Sequence, residues 1–551
     1  MKASWILPAA VVVSAAYTTN PPKNPSVTVN GTTFEGLVRN GVDAFLGIRF
    51  GQDTGGVARF KAPVPYVYPS SPAVVAATDA GPMCPQVRID EGDPRSEDCL
   101  RLNVVRPRGT QPGAKHAVMV WIYGGSFWVG SKDDIFYQPD GAVLESVRAG
   151  EPIVHVAINY RLGAFGFAQD KVLDAEGSTN AGLRDQRLGL EWVRDNIARF
   201  GGDPSRVTIY GQSSGGLSVG LQLLAHGGES TKPAPFERGI MQSESAMEIG
   251  LSKGDYTRAA MQRLAEYTHC TADTVACLRK LSMKDLLNAT VETYLDGPAN
   301  NIGDIWLPQV DGDFLPDEPM KLIREGRFHK RDAIFGWTEE DLDVAVPDDV
   351  ATANDTRRAI TGLLPFVSQA TVDGLLALYP VSEFVTSDPD AAPAEFYRAG
   401  RVITDLIMVC PAAFFSRYLS AASPDTSNYM YMWNQTTLSL PVVRVAHTSE
   451  LPYVFGNLSH PDIFGGNGKV TPDDEALMVR ATRGWTAFAA TGKPSGIRGA
   501  FAKWKGAYAK GDGKDAQMYV VGGPGEGMLD YASYEDRRTR CGYIEEHIKM
   551  D

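Results

Sequence analysis

A serine between two glycines is the residue of this chain whose setting points most directly to chemistry. Residues 211–215 read Gly-Gln-Ser-Ser-Gly; a strand-like run precedes them, and residues 216–224 can form a helix. A sharp turn from strand to helix strains the serine backbone, and the glycines leave room for neighbouring backbone. The free N–H groups at the start of the helix face any negative charge that forms there. The pattern predicts that Ser213 is a nucleophile.

The elements that must position this serine alternate between strand-like and helix-like segments. Short apolar runs typical of buried strands lie at 118–123, 153–158 and 207–210. A helical pattern covers residues 183–200 and stops at the Gly-Gly-Asp-Pro cluster of residues 201–204. This alternation predicts an α/β fold with a mostly parallel sheet and helices on both faces. The helix-rich region from about 251 to 440 is interpreted as excursions from the same domain.

Three sequence blocks resemble the type-B carboxylesterase/lipase family, which includes cholinesterases and secreted fungal esterases. The blocks are Glu-Asp-Cys-Leu-Arg-Leu-Asn-Val at 97–104, Asn-Ala-Gly-Leu-Arg-Asp-Gln at 180–186, and 200–215, where Phe-Gly-Gly and Val-Thr-Ile-Tyr precede the serine pentapeptide. Arg101 is a small departure from the family pattern. The resemblance implies the α/β-hydrolase fold, with one catalytic domain over residues 17–551. It also implies hydrolysis of carboxylic esters through an acyl-enzyme intermediate, without a cofactor.

The resemblance also assigns an oxyanion hole, which requires backbone N–H donors opposite the nucleophile. One donor belongs to the residue after the serine, Ser214. The others lie in a glycine-rich turn, and Trp-Ile-Tyr-Gly-Gly-Ser-Phe at 121–127 is similar to that family loop. Gly125 and Ser126 fall at the donating positions, although Ser126 replaces a third glycine and brings a Cβ into the loop. A plain glycine turn is the alternative interpretation.

A general base must take the proton of the serine, and the chain offers eight histidines. In this fold the order along the chain is serine, acid, histidine, which leaves His447, His460 and His547. Residues 446–451, Ala-His-Thr-Ser-Glu-Leu, are similar to the catalytic-histidine loop of the family. We therefore predict His447 as the base, with His460 as the fallback.

The acid is expected within residues 334–342, Ile-Phe-Gly-Trp-Thr-Glu-Glu-Asp-Leu, which resemble the strand-to-loop segment that carries the family's acid. Most relatives have glutamate five positions after the glycine, and Asp341 occupies that position here. We favour Asp341; Glu340 is the alternative if the loop is shifted, and an acidic surface loop is the non-catalytic one. By resemblance, Glu450 and Ser243 would hold the base and acid loops.

The bulk composition is that of an ordinary globular protein. The chain has 551 residues, of which 43% are hydrophobic and 22% are charged, and its formal net charge is −13. Nucleic-acid binding requires a clustered positive surface, and the sequence has no long basic run, so a nucleic-acid partner is not expected. No motif with zinc-site or redox spacing is present, so no metal is predicted. The expected partner is a small-molecule ester; the sequence does not predict an oligomeric state.

The first residues predict a signal peptide over residues 1–16 and hence secretion. Lys2 precedes an apolar stretch that ends in the small residues 14–16. This stretch is too short to span a bilayer, and no later one reaches the roughly 18 apolar residues required, so stable membrane insertion is not expected. A buried N-terminal strand is the alternative. Five N-x-S/T sequons favour a secreted glycoprotein: Asn30, Asn288, Asn354, Asn434 and Asn457.

Six cysteines fit the same compartment. Six cysteines allow fifteen pairings in principle. Because short loops close easily, we expect sequential pairing, with disulfides Cys84–Cys99, Cys270–Cys277 and Cys410–Cys541. Buried free thiols are the alternative.

Two absences narrow the expected substrate. Cholinesterases carry a glutamate before the nucleophile and, in the first disulfide loop, a tryptophan that stacks on the quaternary ammonium. Here Gln212 precedes Ser213, and residues 84–99 contain no aromatic side chain, so choline esters are not expected. Lipases of the family have a long amphipathic lid in that loop, whereas residues 85–98 are few and acidic. We therefore expect activity on soluble or modest-sized esters without interfacial activation.

The sequence leaves other functions open besides a secreted carboxylesterase. The same machinery could serve a lipase or sterol esterase, or an acyltransferase or biosynthetic esterase acting on a specialised metabolite. A non-catalytic binding protein of the same fold is the alternative from a different class. Such proteins typically lack the serine or the histidine, and this chain has both.

Overall fold

The computed structural model describes residues 24–69, 73–87, 94–246, 255–296, 305–437, 442, 444–458, 469–508 and 516–548. The expected signal peptide at 1–16 and the fallback base His460 lie outside the described residues. Both therefore stay predictions, as does the single catalytic domain over residues 17–551.

Two sheets organise the described part of the chain. The smaller one consists of β1 (Ser26–Val29), β2 (Thr32–Glu35) and β5 (Ala73–Ala76). The larger one has 11 strands, in the spatial order β14 (Gly527–Asp530), β13 (Gln517–Val521), β12 (Asn428–Trp433), β11 (Asp332–Thr338), β10 (Arg238–Gln242), β9 (Gly202–Gln212), β7 (His116–Ile122), β8 (Ile153–Ile158), β6 (Arg101–Pro107), β4 (Val42–Arg49) and β3 (Leu37–Arg39).

The centre of the large sheet is parallel and its edges are antiparallel. All neighbouring pairs from β8 through β7, β9, β10, β11 and β12 to β13 are parallel. The outer pairs β13–β14, β6–β8, β4–β6 and β3–β4 are antiparallel. Every residue of β8 and β12 is buried, as expected of strands that helices cover on both faces. The predicted mostly parallel α/β sheet is thereby confirmed.

Helices connect these strands and cover the sheet. Those of the described residues are α1 (Asp140–Arg148), α2 (Gly163–Phe167), α3 (Lys171–Ala175), α4 (Ala181–Asn196), α5 (Ser214–Leu224), α6 (Asp255–Tyr267), α7 (Thr274–Leu278), α8 (Met283–Leu295), α9 (Pro319–Arg324), α10 (Ala353–Leu363), α11 (Gln369–Ala377), α12 (Ala394–Thr404), α13 (Cys410–Ala422), α14 (Leu451–Val454), α15 (Pro472–Thr491) and α16 (Arg537–His547).

The predicted elements around the serine are present, with shifted boundaries. The helix expected over 183–200 is α4 followed by a short 3₁₀ turn, Ile197–Phe200. The strand expected at 207–210 begins earlier, at Gly202, because Gly202 already pairs with His116. The register then shifts before Val207, so Pro204 lies at an irregular stretch where the lost N–H is tolerated.

A π-helical turn, Asp405–Val409, joins α12 to α13 without a break. The combined run of 29 residues from Ala394 to Ala422 is long and apolar enough to cross a membrane, but its most apolar window is 89% buried inside the protein. It is therefore packed as a core helix in this fold. The extra residue of a π turn displaces the side chains that follow it, and such turns are frequent at functional sites.

Three disulfides close the expected loops. Cys84 pairs with Cys99, Cys270 with Cys277, and Cys410 with Cys541. Their Cα–Cα distances of 5.0, 5.5 and 5.2 Å are normal for disulfides. The predicted sequential pairing is present, and free thiols, the alternative, are absent at all six positions. The third bridge joins α13 to α16 across a sequence separation of 131 residues.

The parallel strands place the predicted site residues along one edge of the sheet. Ser213 follows β9, Ser243 follows β10, and Asp341 lies just beyond the end of β11. Backbone hydrogen bonds continue past the strand ends, from Ser213 N–H to Gln242 O at 2.9 Å and from Ser243 N–H to Gly336 O at 2.8 Å. Ligands of open parallel sheets bind at this carboxyl edge.

Candidate active site

Ser213 occupies a strained turn between β9 and α5. Its backbone has φ 58° and ψ −136°, a conformation that is costly for any residue other than glycine. The flanking glycines are required by close backbone contacts. A Cβ on Gly211 would lie 2.4 Å from the carbonyl carbon of Gly215, and a Cβ on Gly215 would lie 2.2 Å from Ile122 O. The turn therefore has the strain and the glycine requirement that the sequence predicted.

His447 contacts the predicted acid directly. Its Nδ1 lies 2.5 Å from Oδ1 of the fully buried Asp341, and its backbone N–H donates to Asp341 O at 3.0 Å. The second carboxylate oxygen, Oδ2, accepts from Ser243 Oγ at 2.7 Å and from the Thr338 N–H at 2.8 Å. The contact fits a hydrogen on Nδ1 that is donated to Asp341, with the lone pair on Nε2. The arrangement leaves Nε2 able to take a proton.

Glu340, the alternative acid, has different partners. Its carboxylate forms an ion pair with Arg444 and accepts from the Val445 N–H at 3.2 Å, so it holds the loop that leads into the histidine. Burial raises the pKa of Glu340 above its usual range, and Arg444 opposes that shift. Of the two candidates, the structure brings Asp341 to His447.

A buried polar network lies behind the histidine loop. Glu450 is fully buried and accepts from Gln242 Nε2 at 3.0 Å, while Gln242 Oε1 accepts from Trp485 Nε1 at 3.1 Å. Burial raises the pKa of Glu450 to about 7. Thus Ser243 contacts the acid, whereas Glu450 supports the base loop through this network. Gln242 and Trp485 were not predicted, although a glutamine that ends the apolar strand Arg-Gly-Ile-Met-Gln is a visible signal.

The predicted oxyanion loop has three consecutive residues with left-handed backbone: Gly125 (φ 106°), Ser126 (φ 55°) and Phe127 (φ 52°). At Gly125 a Cβ would lie 2.3 Å from Val129 O, so only glycine fits there. The loop is attached to the serine turn, because the Phe127 N–H donates to Ser214 Oγ at 3.2 Å. Ser126 adopts the strained conformation despite its Cβ, at a cost of about 1–2 kcal/mol.

The first disulfide loop is attached to this oxyanion loop. Gln86 Oε1 accepts from the Gly130 N–H at 2.8 Å, and Gln86 Nε2 donates to Gly130 O, also at 2.8 Å. The acidic loop at 85–98, called the flap here, has its middle residues 88–93 outside the described residues. The prediction that this flap is too short and polar for a lipase lid therefore stays a prediction.

A cavity of about 680 Å³ is lined by Ser213 and His447. Other polar residues in its lining are Gly125, Ser126, Gln212, Glu244, Arg358 and Thr448. Its apolar lining includes Leu342, Val344, Ala345, Pro347, Ala359, Gly362, Leu363, Ile403, Ile407 and Met408. These apolar residues come from the loop after β11, from α10, and from α12 with its π turn. The cavity can seat an apolar group beside Ser213.

The described residues include no group of three or more His, Cys, Asp or Glu side chains that could hold a metal ion. Of the five sequons, Asn30, Asn288 and Asn354 are exposed, and Asn434 and Asn457 are half-buried. Their glycosylation stays a prediction.

Comparison with known proteins places this geometry among ester hydrolases. The family described as "Carboxylesterase family" matches residues 23–523. A secreted lipase of Arthroderma benhamiae is 42% identical over 98% of this chain and 96% of its own. Lipase 4 of Diutina rugosa is 36% identical, with coverage of 87% and 91%. The protein VdtD of Byssochlamys spectabilis, described as inactive and carboxylesterase-like, is 35% identical, with coverage of 87% and 86%.

Solved structures share the fold. EstA of Aspergillus niger matches with a TM-score of 0.79 at 24% identity, over 94% of this chain and 97% of its own. A protein titled PNB esterase matches with a TM-score of 0.76 at 26% identity, over 94% and 100%.

Proposed function

The chain belongs to the carboxylesterase family and has the α/β-hydrolase fold, and from this premise we propose that it is a secreted serine esterase. One observation carries the proposal. The strained Ser213 and the proposed base His447 line the same cavity, and His447 Nδ1 is hydrogen-bonded to the buried Asp341. Acyl transfer by a serine needs a nucleophile, a base and a carboxylate that orients the base, and we assign these three roles to Ser213, His447 and Asp341.

In the proposed mechanism Ser213 Oγ attacks the ester carbonyl carbon while its proton passes to His447 Nε2. The carbonyl oxygen becomes an oxyanion and accepts from the N–H groups of Gly125, Ser126 and Ser214. Asp341 stabilises the imidazolium, which then gives its proton to the leaving oxygen as the oxyanion collapses to a carbonyl and the ester C–O bond breaks, so that the alcohol departs. Water repeats the sequence on the acyl-enzyme, releases the carboxylic acid and regenerates the Ser213 hydroxyl.

The cavity supports a substrate with an apolar acyl or alcohol group. Much of its lining is aliphatic, and burial of apolar surface there contributes roughly 25 cal/mol per Å². We propose carboxylic esters of soluble or modest size as substrates. A lipase is the second candidate, because two of the relatives reported above are named lipases. Activity measured across the solubility limit of one ester separates the two: a sharp rise above that limit would favour the lipase.

Secretion is supported by two observations. A relative that is 42% identical is named a secreted lipase, and the chain carries three disulfides, which persist in oxidising compartments. The experiment is expression of the full chain with a C-terminal tag in a filamentous fungus, followed by N-terminal sequencing of the protein from the medium. A mature protein that begins near residue 17 is expected; retention in the cells would contradict the proposal.

Hydrolysis itself is tested with p-nitrophenyl butyrate. Ser213→Ala is expected to lower kcat by about 10⁶-fold, toward the uncatalysed rate, because the nucleophile is removed. Ser205→Ala, an exposed serine on β9, is the matched control and should keep the wild-type rate.

Product analysis with added alcohols separates a hydrolase from an acyltransferase, since the latter forms a new ester in preference to the free acid. An inactive wild type would favour a binding protein, a real alternative because one relative is described as inactive.

A further inference from the structure

Gln212, the residue before the nucleophile, contacts the base. Its side-chain Nε2 lies 3.0 Å from His447 Nε2, and the residue is only 2% exposed. With the ring hydrogen on Nδ1 toward Asp341, Nε2 presents a lone pair that can accept a hydrogen bond. The amide N–H of Gln212 is thus placed to donate to that lone pair.

The same lone pair must accept the Ser213 proton in the proposed mechanism. A hydrogen bond donated to neutral imidazole favours the free base over the imidazolium, because imidazolium carries a hydrogen on Nε2 and would place two donors face to face. To accept a hydrogen bond from the imidazolium, the amide would have to turn its oxygen toward the ring and give up the contact seen here, so this contact favours the neutral ring. An ionised carboxylate at this position could only accept a hydrogen bond, and its negative charge would favour the imidazolium over the neutral ring.

We propose that Gln212 is a positioning residue that keeps His447 in its neutral, proton-accepting form and so extends activity to lower pH than a carboxylate at this position would allow. The inference rests on the proposed function, because it concerns the same base. It identifies Gln212 as a determinant of the pH range of the enzyme.

Other charged groups around the site stay constant when only Gln212 is changed. Asp341 bonds to the ring, and Glu450 lies in the buried network behind it. Glu244 and Arg358 line the same cavity, and Asp343 is buried just beyond the acid. Because none of these groups is altered, a change in pH dependence between variants at position 212 reports the Gln212–His447 contact.

The experiment measures kcat/KM for p-nitrophenyl butyrate from pH 4 to 9 in wild type, Gln212→Glu and Gln212→Met. The midpoint of the acid limb should rise by about one pH unit or more in Gln212→Glu, because a carboxylate within about 4–6 Å favours imidazolium by roughly 1–3 pH units. It should rise by a smaller amount in Gln212→Met, which keeps the side-chain length and loses the donor. Gln52→Glu, which adds the same charge at an exposed site, is the control and should leave the midpoint unchanged.

The inference would be overturned if the midpoint of the acid limb stayed in place or fell in both Gln212 variants, even if kcat decreased. A purely structural role changes the rate without moving this midpoint. If Gln212→Glu does not fold, Gln212→Met decides alone, and an unmoved midpoint contradicts the proposal. NMR titration of the His447 ring in ¹⁵N-histidine-labelled protein gives the midpoints without turnover. An inactive wild type would therefore refute the proposed function. The NMR titration would still show whether the Gln212 variants shift the midpoint of the His447 ring.

Discussion

The hydroxyl of Ser243 lies 2.7 Å from Oδ2 of Asp341 and joins the end of β10 to the acid loop after β11. Asp341 thereby has both carboxylate oxygens occupied, one by Ser243 and the Thr338 N–H and the other by His447. The acid cannot rotate without breaking one of these bonds. Its orientation toward the base is therefore fixed before a substrate arrives.

Removal of the Ser243 hydroxyl should slow the reaction. A hydrogen bond to a charged group contributes about 1.5–3 kcal/mol, so Ser243→Ala is expected to lower kcat by roughly 10- to 100-fold with little change in KM. The matched control is Ser245→Ala, a buried serine two residues further on whose hydroxyl has no hydrogen-bond partner among the described residues. Steady-state kinetics of both variants check this expectation. Equal effects at the two positions would show that Ser243 acts only through folding.

The two candidate acids should separate clearly. Asp341→Asn removes the charge that stabilises the imidazolium, and kcat is expected to fall by about 10⁴-fold. Glu340→Gln keeps a partner for the Val445 N–H and should change kcat by less than about threefold, because Glu340 contacts the loop and not the ring. The comparison is made at one pH on p-nitrophenyl butyrate. The reverse order of effects would transfer the acid to Glu340.

Glu450 should make stability depend on pH. Its folded pKa of about 7 lies above the usual 4.5 because of burial, so the folded state binds more protons than the unfolded state between those values. Stability should therefore fall as pH rises from about 4.5 to 7, by roughly 3 kcal/mol at most. Glu450→Gln cannot ionise and should lose this dependence, so its Tm relative to wild type should rise between pH 5 and pH 8. A constant difference in Tm over this range would show that Glu450 does not titrate there.

The apolar lining should select by chain length. Ala359 is half-buried and lines the cavity on α10, so Ala359→Phe places a ring in the space proposed for the acyl chain. We expect kcat/KM for p-nitrophenyl decanoate to fall at least about tenfold, with the butyrate value within about twofold of wild type. Val385→Phe, at an exposed site, is the control. An equal loss on both esters would mean that the substituted ring disturbs the catalytic residues and not an acyl site.

The parts of the site that were predictable from sequence are those formed by continuous segments of the chain. The serine turn, the oxyanion loop and the histidine loop each carry a local pattern, and the structure places residues from all three around one cavity. The choice between Glu340 and Asp341 was harder. Both residues carry a carboxylate, and the sequence does not show which of the two side chains points toward the histidine. The His447–Asp341 contact, which favours Asp341, joins residues 106 positions apart.

Contacts between distant segments were not predictable. Gln212 meets His447 across 235 positions, and Trp485 on α15 meets Gln242 across 243. Nothing in the local sequence around any of these residues specifies its partner, because the partner depends on how the sheet and helices pack. The early start of β9 at Gly202 was missed for a similar reason, since pairing with His116 overrides the breaker cluster.

The central claim is that Ser213 is an activated nucleophile, and covalent labelling tests it most directly. The full chain is incubated with a fluorophosphonate, which phosphonylates activated serines, and its peptides are analysed by mass spectrometry. We predict one adduct on Ser213, abolished in Ser213→Ala and slowed by orders of magnitude in His447→Ala. Folded wild-type protein that takes up no label, or that carries it on another serine, would contradict the account.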